Sequence, residues 1–275
     1  MRIERKLRQL RERREGALMP HVYYGDPTPE FSFELVRTLA ASGADLLEVG
    51  VPFSDPIADG PVFTAACERA LSRGIKPRMC IAAIERLRSE GIDLPVVVTA
   101  YYNIVYNWGV VRFCADLQAA GADGIIVPDL PVEESEELLE AAKDRDLDLI
   151  FQVAPTTSES RIDKVLRKAS GFVYVINVEG VTGPRGDVVP STLQLISRVR
   201  ERTSLPLLAG FGVSSADHAR LLVANGADGV VVGSAIAEIY SRNLRNPHST
   251  LERIRSFVSE LKAACVQGMR ERKRI

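Results

Sequence analysis

Three segments of the chain repeat one pattern: SGADLLEVGVP at 42–52, AGADGIIVPDLP at 120–131 and NGADGVVVGSA at 225–235. In each segment, Gly-Ala-Asp stands between the end of a helix-like stretch and an apolar run. A glycine at that point fits the end of a helix, and an aspartate fits the entry to a strand. One helix-to-strand unit is therefore predicted to recur along the chain.

Apolar runs of strand length alternate with helix-length stretches about eight times. The runs are almost continuously apolar, which is typical of parallel strands buried on both faces. Stretches with polar faces, such as 133–145 and 158–168, separate them. Eight such units predict a closed (β/α)8 TIM barrel, and an open doubly wound sheet is the alternative. The predicted strands are 17–25, 45–51, 94–102, 123–129, 147–155, 171–178, 205–212 and 228–234.

The composition favours a single domain with one large core. The chain has 275 residues, of which 46% are hydrophobic and 26% charged, and its formal net charge is −1. This near-neutral charge gives no general attraction to nucleic acid or to a membrane surface. We expect one domain over 1–275, with an N-terminal helix at 1–15 and a basic tail at 268–275. No apolar run approaches the roughly 20 residues of a membrane span and no signal-peptide core is present, so a cytoplasmic location is predicted.

The cysteines and histidines do not show the spacing of a metal site. The four cysteines include no C-x-x-C pair and are expected to be reduced and packed. The three histidines share no ligand spacing, so neither a metal nor a cofactor is predicted. These residues are Cys67, Cys80, Cys114 and Cys265, and His21, His218 and His248.

A glutamate interrupts the second apolar run, in LLEVGVPFSDPIADGPV at 46–62. The active site of a barrel gathers where the strands end, and Glu48 stands near the end of its predicted strand. Apolar surroundings raise the pKa of a carboxyl group, whereas Asp59, in the following loop, is expected to stay ionised. The two carboxyl groups are thus candidates for two different roles. The alternative is structural, with Glu48 in a buried ion pair and the loop aspartates as turn or helix caps.

Small residues follow the seventh and eighth predicted strands: Gly212 with Ser214 or Ser215 at a helix start, and Gly233 with Ser234. Glycine lets the backbone approach an anion, and a helix N-terminus directs free N–H groups at it. The loops after these two strands are the usual phosphate site of a barrel. We therefore predict a small phosphorylated substrate, and the alternative is that the glycines only form tight turns.

A glycine-rich segment, NVEGVTGPRGDVVP at 177–190, follows the sixth predicted strand. Its length is typical of a loop that closes over a substrate and excludes water. A disordered surface loop is the alternative. Tyr174 lies inside the strand that leads into this segment.

Taken together, these motifs resemble the alpha subunit of tryptophan synthase, an indole-3-glycerol-phosphate lyase. They occur in the family's order over nearly the whole chain, and EVGVPFSDPIADGP at 48–61 is the most specific. The other matching segments are REGALMPHVYYGDP at 14–27, YYNIVYNWG at 101–109, GIIVPDLPVEES at 124–135, VAPTT at 153–157, GVTGPRG at 180–186, LAGFGVSS at 208–215 and GSAI at 233–236.

The resemblance implies a role for each candidate residue in a retro-aldol cleavage. Glu48 is the acid and base, Asp59 holds the indole N–H, and Tyr174 helps to position these groups. The cleavage needs a proton on indole C3 and then removal of one from the side-chain hydroxyl, and one carboxyl group that is protonated at rest can do both in turn. The residues implied for the phosphate are Gly183, Gly212, Gly233 and Ser234, and Thr182 is implied to lie in the closing loop and engage Asp59.

A partner is also implied by the resemblance. It is a beta subunit that contains pyridoxal phosphate, in an alpha2beta2 assembly that serves tryptophan biosynthesis. The segments PFSDP at 52–56, YYNIVYN at 101–107 and DLPVEE at 129–134 resemble the loops with which the family docks on that subunit.

Three features depart from the family pattern. His21 and Gln152 stand where the family usually has apolar or aromatic side chains beside the indole ring, and NVEG at 177–180 precedes the closing loop. The alternatives are a free-standing indole-releasing lyase, another phosphate-binding barrel isomerase or aldolase, and a non-catalytic regulatory subunit. The presence of Glu48, Asp59 and Tyr174 together argues against the last.

Overall fold

The computed structural model of the chain describes residues 1–176, 190–210 and 212–272. Its strands are β1 (Ala17–Tyr23), β2 (Leu47–Gly50), β3 (Val96–Thr99), β4 (Gly124–Ile126), β5 (Asp148–Ile150), β6 (Gln152–Val153), β7 (Val173–Ile176), β8 (Leu207–Gly210) and β9 (Gly229–Val232). Its helices are α1 (Arg2–Arg13), α2 (Pro29–Ala41), α3 (Pro61–Ser72), α4 (Pro77–Ser89), α5 (Tyr102–Trp108), α6 (Val110–Ala120), α7 (Glu136–Lys143), α8 (Glu159–Lys168), α9 (Pro190–Arg200), α10 (Ala216–Ala224), α11 (Ser234–Ser241) and α12 (Leu251–Glu271). Short 3-10 turns cover Val132–Glu134 and Pro247–Thr250.

The strands pair in parallel in the order β5-β4-β3-β2-β1-β9-β8-β7-β6. The two ends of this order, β5 and β6, are separated in the chain by Phe151 alone. The sheet therefore closes on itself through the fifth predicted strand, which is split at Phe151. The predicted (β/α)8 TIM barrel is confirmed, and the open doubly wound sheet is wrong. Because of the split, β7, β8 and β9 are the sixth, seventh and eighth predicted strands.

Successive residues of each strand point alternately into the barrel and toward the surrounding helices. Leu47 and Val49 belong to the large core between the strands and the helices, whereas Leu46 belongs to a second cluster inside the barrel. Glu48 follows Leu46 by two residues and so faces the interior. The strand and strand-flanking residues of this interior cluster are Ala17, Met19, Leu46, Val97, Ile126, Ile150, Phe172, Tyr174, Leu208 and Val231.

Helices at the two ends of the described chain pack on the barrel. Ile3, Leu7 and Leu10 lie on one face of α1 and are buried in the interior cluster, so α1 closes the N-terminal end of the barrel. Burying an aliphatic side chain of this size contributes about 1.5–3 kcal/mol, which holds α1 in place. Near the C-terminal end of the chain, helix α12 continues to Glu271 and so extends into the segment 268–275 that was predicted to be a basic tail.

The three Gly-Ala-Asp repeats lie at the N-terminal end of the barrel. Gly43, Gly121 and Gly226 have φ of +102°, +88° and +118°, a left-handed conformation that glycine adopts at little cost at the end of a helix. Each aspartate accepts a backbone N–H from a neighbouring strand and contacts a basic side chain. The N–H donors are Leu18 to Asp45 (3.0 Å), Val96 to Asp123 (2.8 Å) and Leu207 to Asp228 (2.9 Å). The basic partners are Lys262 on Asp45 (2.8 Å), Arg88 on Asp123 (2.7 Å) and Arg200 on Asp228 (2.5 Å).

No helix in the described part of the chain is long and apolar enough to cross a membrane. The described residues also include no group of three or more His, Cys, Asp or Glu side chains arranged to hold a metal ion. All four cysteines are buried and free.

Candidate active site

The interior of the barrel changes from apolar to polar toward the C-terminal ends of the strands. The alternation along β1 that buries Ala17 and Met19 inside the barrel also directs His21 and Tyr23 inward. The same alternation places Glu48 of β2 and Thr99 of β3 in the interior. These polar side chains come together at the end of the barrel where the active sites of this fold lie.

Glu48 is buried, with 1% of its surface exposed. The Thr99 hydroxyl donates a hydrogen bond to Oε1 of Glu48 at 2.5 Å. His21, the register partner of Glu48 on β1, places Nδ1 at 3.4 Å from the same oxygen. Among the described residues, no group forms a hydrogen bond with Oε2. One carboxyl oxygen is thus held by the protein, and the other is left for a further partner.

Burial sets the charge of this pair. It raises the pKa of Glu48 to about 8 against the opposing effect of the Thr99 hydrogen bond, and the negative charge of Asp59 adds a smaller increase. Burial lowers the pKa of His21 to about 3. In the described part of the chain His21 is the only basic side chain within salt-bridge range of Glu48. Near neutral pH the two side chains are therefore both uncharged rather than an ion pair.

Asp59 lies in the loop between β2 and α3 and is held by two phenols. The hydroxyls of Tyr23 and Tyr101 donate to the same oxygen, Oδ2, at 2.6 and 2.8 Å. Partial burial raises the pKa of Asp59, and the two hydrogen bonds oppose that rise because they stabilise the carboxylate. Gly60 rather than Asp59 is the N-cap of α3, and it makes no side-chain cap, so capping does not explain this aspartate.

Tyr174 lies in the barrel interior on β7. Its ring covers Gly210 of β8, where an added Cβ would lie 2.6 Å from the phenol oxygen. Burial, followed by the negative charges of Glu48 and Asp59, raises the pKa of Tyr174 well above its ordinary value. Tyr174 is therefore a neutral phenol close to both carboxyl groups.

The ends of β8 and β9 carry the turns predicted to bind phosphate. Gly212 has a φ of +82°, and Ser215 caps α10 by accepting the N–H of His218 at 3.2 Å. Gly233 is the N-cap of α11, which begins at Ser234. A Cβ on Gly233 would overlap the ring of Phe63, so this position requires glycine. Two helices thus begin beside each other after adjacent strands, an arrangement suited to an anion.

Two of the predicted substrate-binding residues, Thr182 and Gly183, lie outside the described residues, as does the NVEG segment at 177–180. The structure describes Glu48, Asp59, Tyr174, Gly212, Gly233 and Ser234, all at the C-terminal end of the barrel. Gln152 lies on β6 and lines a cavity of about 360 Å³ with Asp129, Leu130 and Phe151.

Three residues of this site were not predicted from the sequence: Tyr23, Thr99 and Tyr101. Tyr23 stands two positions after His21 and so shares its face of β1. Thr99 ends β3, and Tyr101 follows two residues later. The signal available was their position, because polar groups at the last inward positions of barrel strands face the active site.

Comparison with known proteins identifies the family to which these features belong. A family model described as "Tryptophan synthase alpha chain" matches residues 7–266. The tryptophan synthase alpha chain of Methanothermobacter thermautotrophicus is 46% identical over 252 residues, which are 92% of this chain and 93% of that protein. That of Methanosarcina mazei is 44% identical, over 97% of this chain and 95% of its own.

Solved structures agree with these sequence matches. The tryptophan synthase alpha subunit of Legionella pneumophila superposes with a TM-score of 0.88 at 32% identity, covering 96% of this chain and 98% of its own. A Mycobacterium tuberculosis tryptophan synthase structure gives a TM-score of 0.87 at 36% identity, over 96% and 97%. With its barrel, its buried Glu48 beside a partly buried Asp59 and its paired helix starts, this chain belongs to the tryptophan synthase alpha chain family.

Proposed function

We propose that Glu48 and Asp59 carry out, in this chain, the reaction of its family, the retro-aldol cleavage of indole-3-glycerol phosphate to indole and glyceraldehyde 3-phosphate. The observation that supports these roles is the difference between the two carboxyl groups. Glu48 is buried and neutral, with Oε2 unbonded among the described residues. Asp59 receives two hydrogen bonds that favour its ionised form.

The first step of the proposed mechanism is protonation of the indole ring. Glu48 transfers its proton from Oε2 to C3 of indole, which breaks the aromaticity of the pyrrole ring and places positive charge on the ring nitrogen. The Asp59 carboxylate accepts the N–H of that nitrogen and stabilises the charge. Tyr23 and Tyr101 occupy Oδ2 of Asp59 from the other side.

The second step breaks the carbon–carbon bond. Glu48, now ionised, removes the proton from the hydroxyl on the side-chain carbon attached to C3. The oxygen forms the aldehyde, the bond to C3 breaks, and its electron pair restores the aromatic ring. Glu48 ends the cycle protonated as it began, so no cofactor or other reactant is needed.

The phosphate of the substrate is proposed to bind at Gly212, Gly233 and Ser234, at the starts of the two helices after β8 and β9. Backbone N–H groups in the first turn of a helix have no partner within that helix, and they can bind the anion. Thr182 and Gly183 are proposed to complete the site from the closing loop. Tyr174, as a neutral phenol, is proposed to orient the groups around Glu48.

Membership of the family implies a beta-subunit partner, and we propose an alpha2beta2 assembly. The loop after β2 carries the predicted docking residues and is exposed at its tip, where 82% of Ile57 is accessible. Phe53 of the same loop stacks on Tyr101, with ring centroids 5.2 Å apart. Since Tyr101 also holds Asp59, a partner that moves Phe53 would act on the carboxylate that binds the indole nitrogen.

Incubation of the purified chain with indole-3-glycerol phosphate, followed by detection of indole and of glyceraldehyde 3-phosphate in equal amounts, tests the proposed function. Indole formation excludes a regulatory subunit and an unrelated barrel isomerase or aldolase. Addition of a beta subunit at saturating concentration then tests the assembly. We expect a faster rate, and an unchanged rate would indicate a free-standing lyase.

A further inference from the structure

His21 is, with Thr99, one of two polar side chains among the described residues in contact with Oε1 of Glu48. Its side chain is 8% exposed, and Nδ1 lies 3.4 Å from Oε1 of Glu48. The ring packs against two aromatic rings, with centroids 5.1 Å from Tyr23 and 4.7 Å from Phe63, and these two rings also contact each other at 5.2 Å. Burial in this aromatic cluster restricts the rotation of the imidazole beside the carboxyl group.

We propose that His21 is a positioning residue for Glu48: with Thr99 it directs hydrogen-bond donors at Oε1, so that the carboxyl proton resides on Oε2 and faces the substrate. This inference rests on the proposed function. A protonated carboxyl group has one hydroxyl oxygen and one oxygen that only accepts hydrogen bonds. Two donors on one oxygen assign the proton to the other.

The tautomer of His21 follows from this geometry. A neutral imidazole has one N–H and one bare nitrogen. A bare Nδ1 would place its lone pair against Oε1, which already accepts the Thr99 hydroxyl, whereas Nδ1–H is attracted to it. Nδ1–H is therefore the assigned tautomer, and Nε2, which has no partner among the described residues, is the acceptor.

The polar contacts of Glu48 are His21 and Thr99, and the other titratable groups around the His21–Glu48 pair act on it in the following ways. The titratable groups around it are Tyr23 on β1, which packs on His21, Asp59 in the loop after β2, Tyr174 on β7, and Cys67 on α3, which lies against Tyr23. Burial raises the pKa of Tyr23 and Tyr174 well above their ordinary values and that of Cys67 to about 12, so all three are uncharged at neutral pH. Asp59 is the remaining charge, and it favours the protonated form of Glu48.

Two substitutions separate the loss of a donor from a change in packing. His21→Phe keeps an aromatic ring against Tyr23 and Phe63 but has no donor, whereas the smaller His21→Asn places an amide N–H where Nδ1–H stands. For His21→Phe we expect kcat to fall about tenfold, the effect of one lost hydrogen bond to a charged group, while KM stays within about twofold. The alkaline limb of the kcat profile should move up by about one pH unit, since ionised Glu48 loses a donor.

The Asn variant should recover most of the lost rate and the original alkaline limb. His21→Gln, whose amide lies one carbon farther out, should resemble the Phe variant and serves in its place if that variant does not fold. The inference is overturned if the Phe or Gln variant keeps the wild-type rate and pH profile. It is also overturned if Asn and Phe lose activity equally with an unmoved pH limb, because that pattern indicates packing alone.

A readout without substrate separates this inference from the proposed function. Infrared titration of the Glu48 carboxyl band, assigned with Glu48→Gln, reports its protonation in each His21 variant. A higher midpoint in His21→Phe than in wild type and His21→Asn supports the inference even if wild type forms no indole, an outcome that would contradict only the proposed function. Equal midpoints in all variants overturn the inference whether or not indole is formed.

Discussion

Two groups of carboxyl side chains, one at each end of the barrel, have opposite surroundings. At the N-terminal end, Asp45, Asp123 and Asp228 each accept a strand N–H and contact a lysine or arginine. In the proposed site at the C-terminal end, Glu48 and Asp59 contact hydroxyl groups and a neutral imidazole, whereas Asp26, which follows β1 at the same end, is ion-paired with Arg69. The three aspartates at the N-terminal end thus have cationic partners that keep them ionised, whereas the two carboxyl groups of the proposed site have none among the described residues.

This difference separates structural from chemical carboxyl groups without reference to sequence motifs. A carboxylate with a cation and a backbone donor stays ionised and joins strands. A carboxyl group buried as deeply as Glu48, with no cation beside it and one oxygen unbonded among the described residues, keeps its proton, because ionisation in an apolar surrounding is costly. It can therefore give that proton away and take another back near neutral pH.

The largest expected effect at the C-terminal end comes from Glu48→Gln. Glutamine has nearly the same size and can still accept from Thr99, but it cannot exchange a proton. We expect turnover to fall by roughly 10²–10⁴-fold or more, since one group serves both steps. Steady-state indole formation measures the loss, and circular dichroism checks the fold. An unfolded variant whose folded fraction keeps its rate would make Glu48 a structural residue.

Asp59→Asn should cost roughly 10²–10³-fold in kcat. The amide keeps the shape of the side chain but gives no negative charge to the ring nitrogen as it becomes positive. The matched control is Asp55→Asn, four residues earlier in the same loop, where the carboxylate contacts the exposed Ser54 hydroxyl. Comparable losses in the two variants would indicate a general effect of the loop rather than a specific role for Asp59.

At the N-terminal end, Asp228→Asn should lower stability and leave the chemistry intact. Removal of its charge leaves Arg200, whose side chain is 17% exposed, without its carboxylate partner, with only the carbonyls of Thr203 and Leu205 as acceptors in the described part of the chain. The free energy of unfolding should fall by about 3 kcal/mol, with kcat per folded molecule unchanged. Urea titration measures this loss. Asp217→Asn, in an exposed pair with Arg220, is the control and should change stability little.

Asp148 is an exception at the N-terminal end of the barrel, because it is buried and no lysine or arginine among the described residues pairs with it. Its Oδ2 has no hydrogen-bond partner there, and burial raises its pKa to about 6. Asp148 ionises at lower pH in the unfolded chain than in the folded chain. Its burial therefore lowers the free energy of unfolding, and this loss is complete above about pH 6. Asp148→Asn should therefore stabilise the protein by about 1–2 kcal/mol at pH 7.

The gain from Asp148→Asn should shrink toward zero near pH 4, as both states of the wild type become protonated. Thermal unfolding at pH 7 and at pH 4 measures the difference. A stability loss at both values would mean that Asp148 makes a favourable structural contact that outweighs the cost of its burial.

The sequence predicts the barrel well because the fold depends on patterns local to each unit. Eight apolar runs and three Gly-Ala-Asp repeats are sufficient for closure, and Glu48 stands out as a charge within such a run. The split at Phe151 and the 3-10 turn that delays α7 to Glu136 were not predicted, because they depend on how the chain closes the ring and turns back.

The partners of the two carboxyl groups were not predictable in the same way. Thr99 and His21 reach Glu48 from strands on either side of β2, and that contact depends on the register of three strands. Tyr23 and Tyr101 meet on Asp59 from separate elements. Sequence patterns give the face of a strand on which a residue lies, whereas side-chain contacts across strands require the assembled barrel.

The most direct test of the contrast between the two ends is the protonation of Glu48 in the unliganded protein. With ¹³C-labelled glutamate, the carboxyl resonance that disappears in Glu48→Gln can be assigned and followed with pH. The account predicts a midpoint near 8, well above the ordinary value of 4.5. A midpoint at or below 4.5 would mean that Glu48 is ionised at neutral pH and cannot donate the first proton, which would contradict the account.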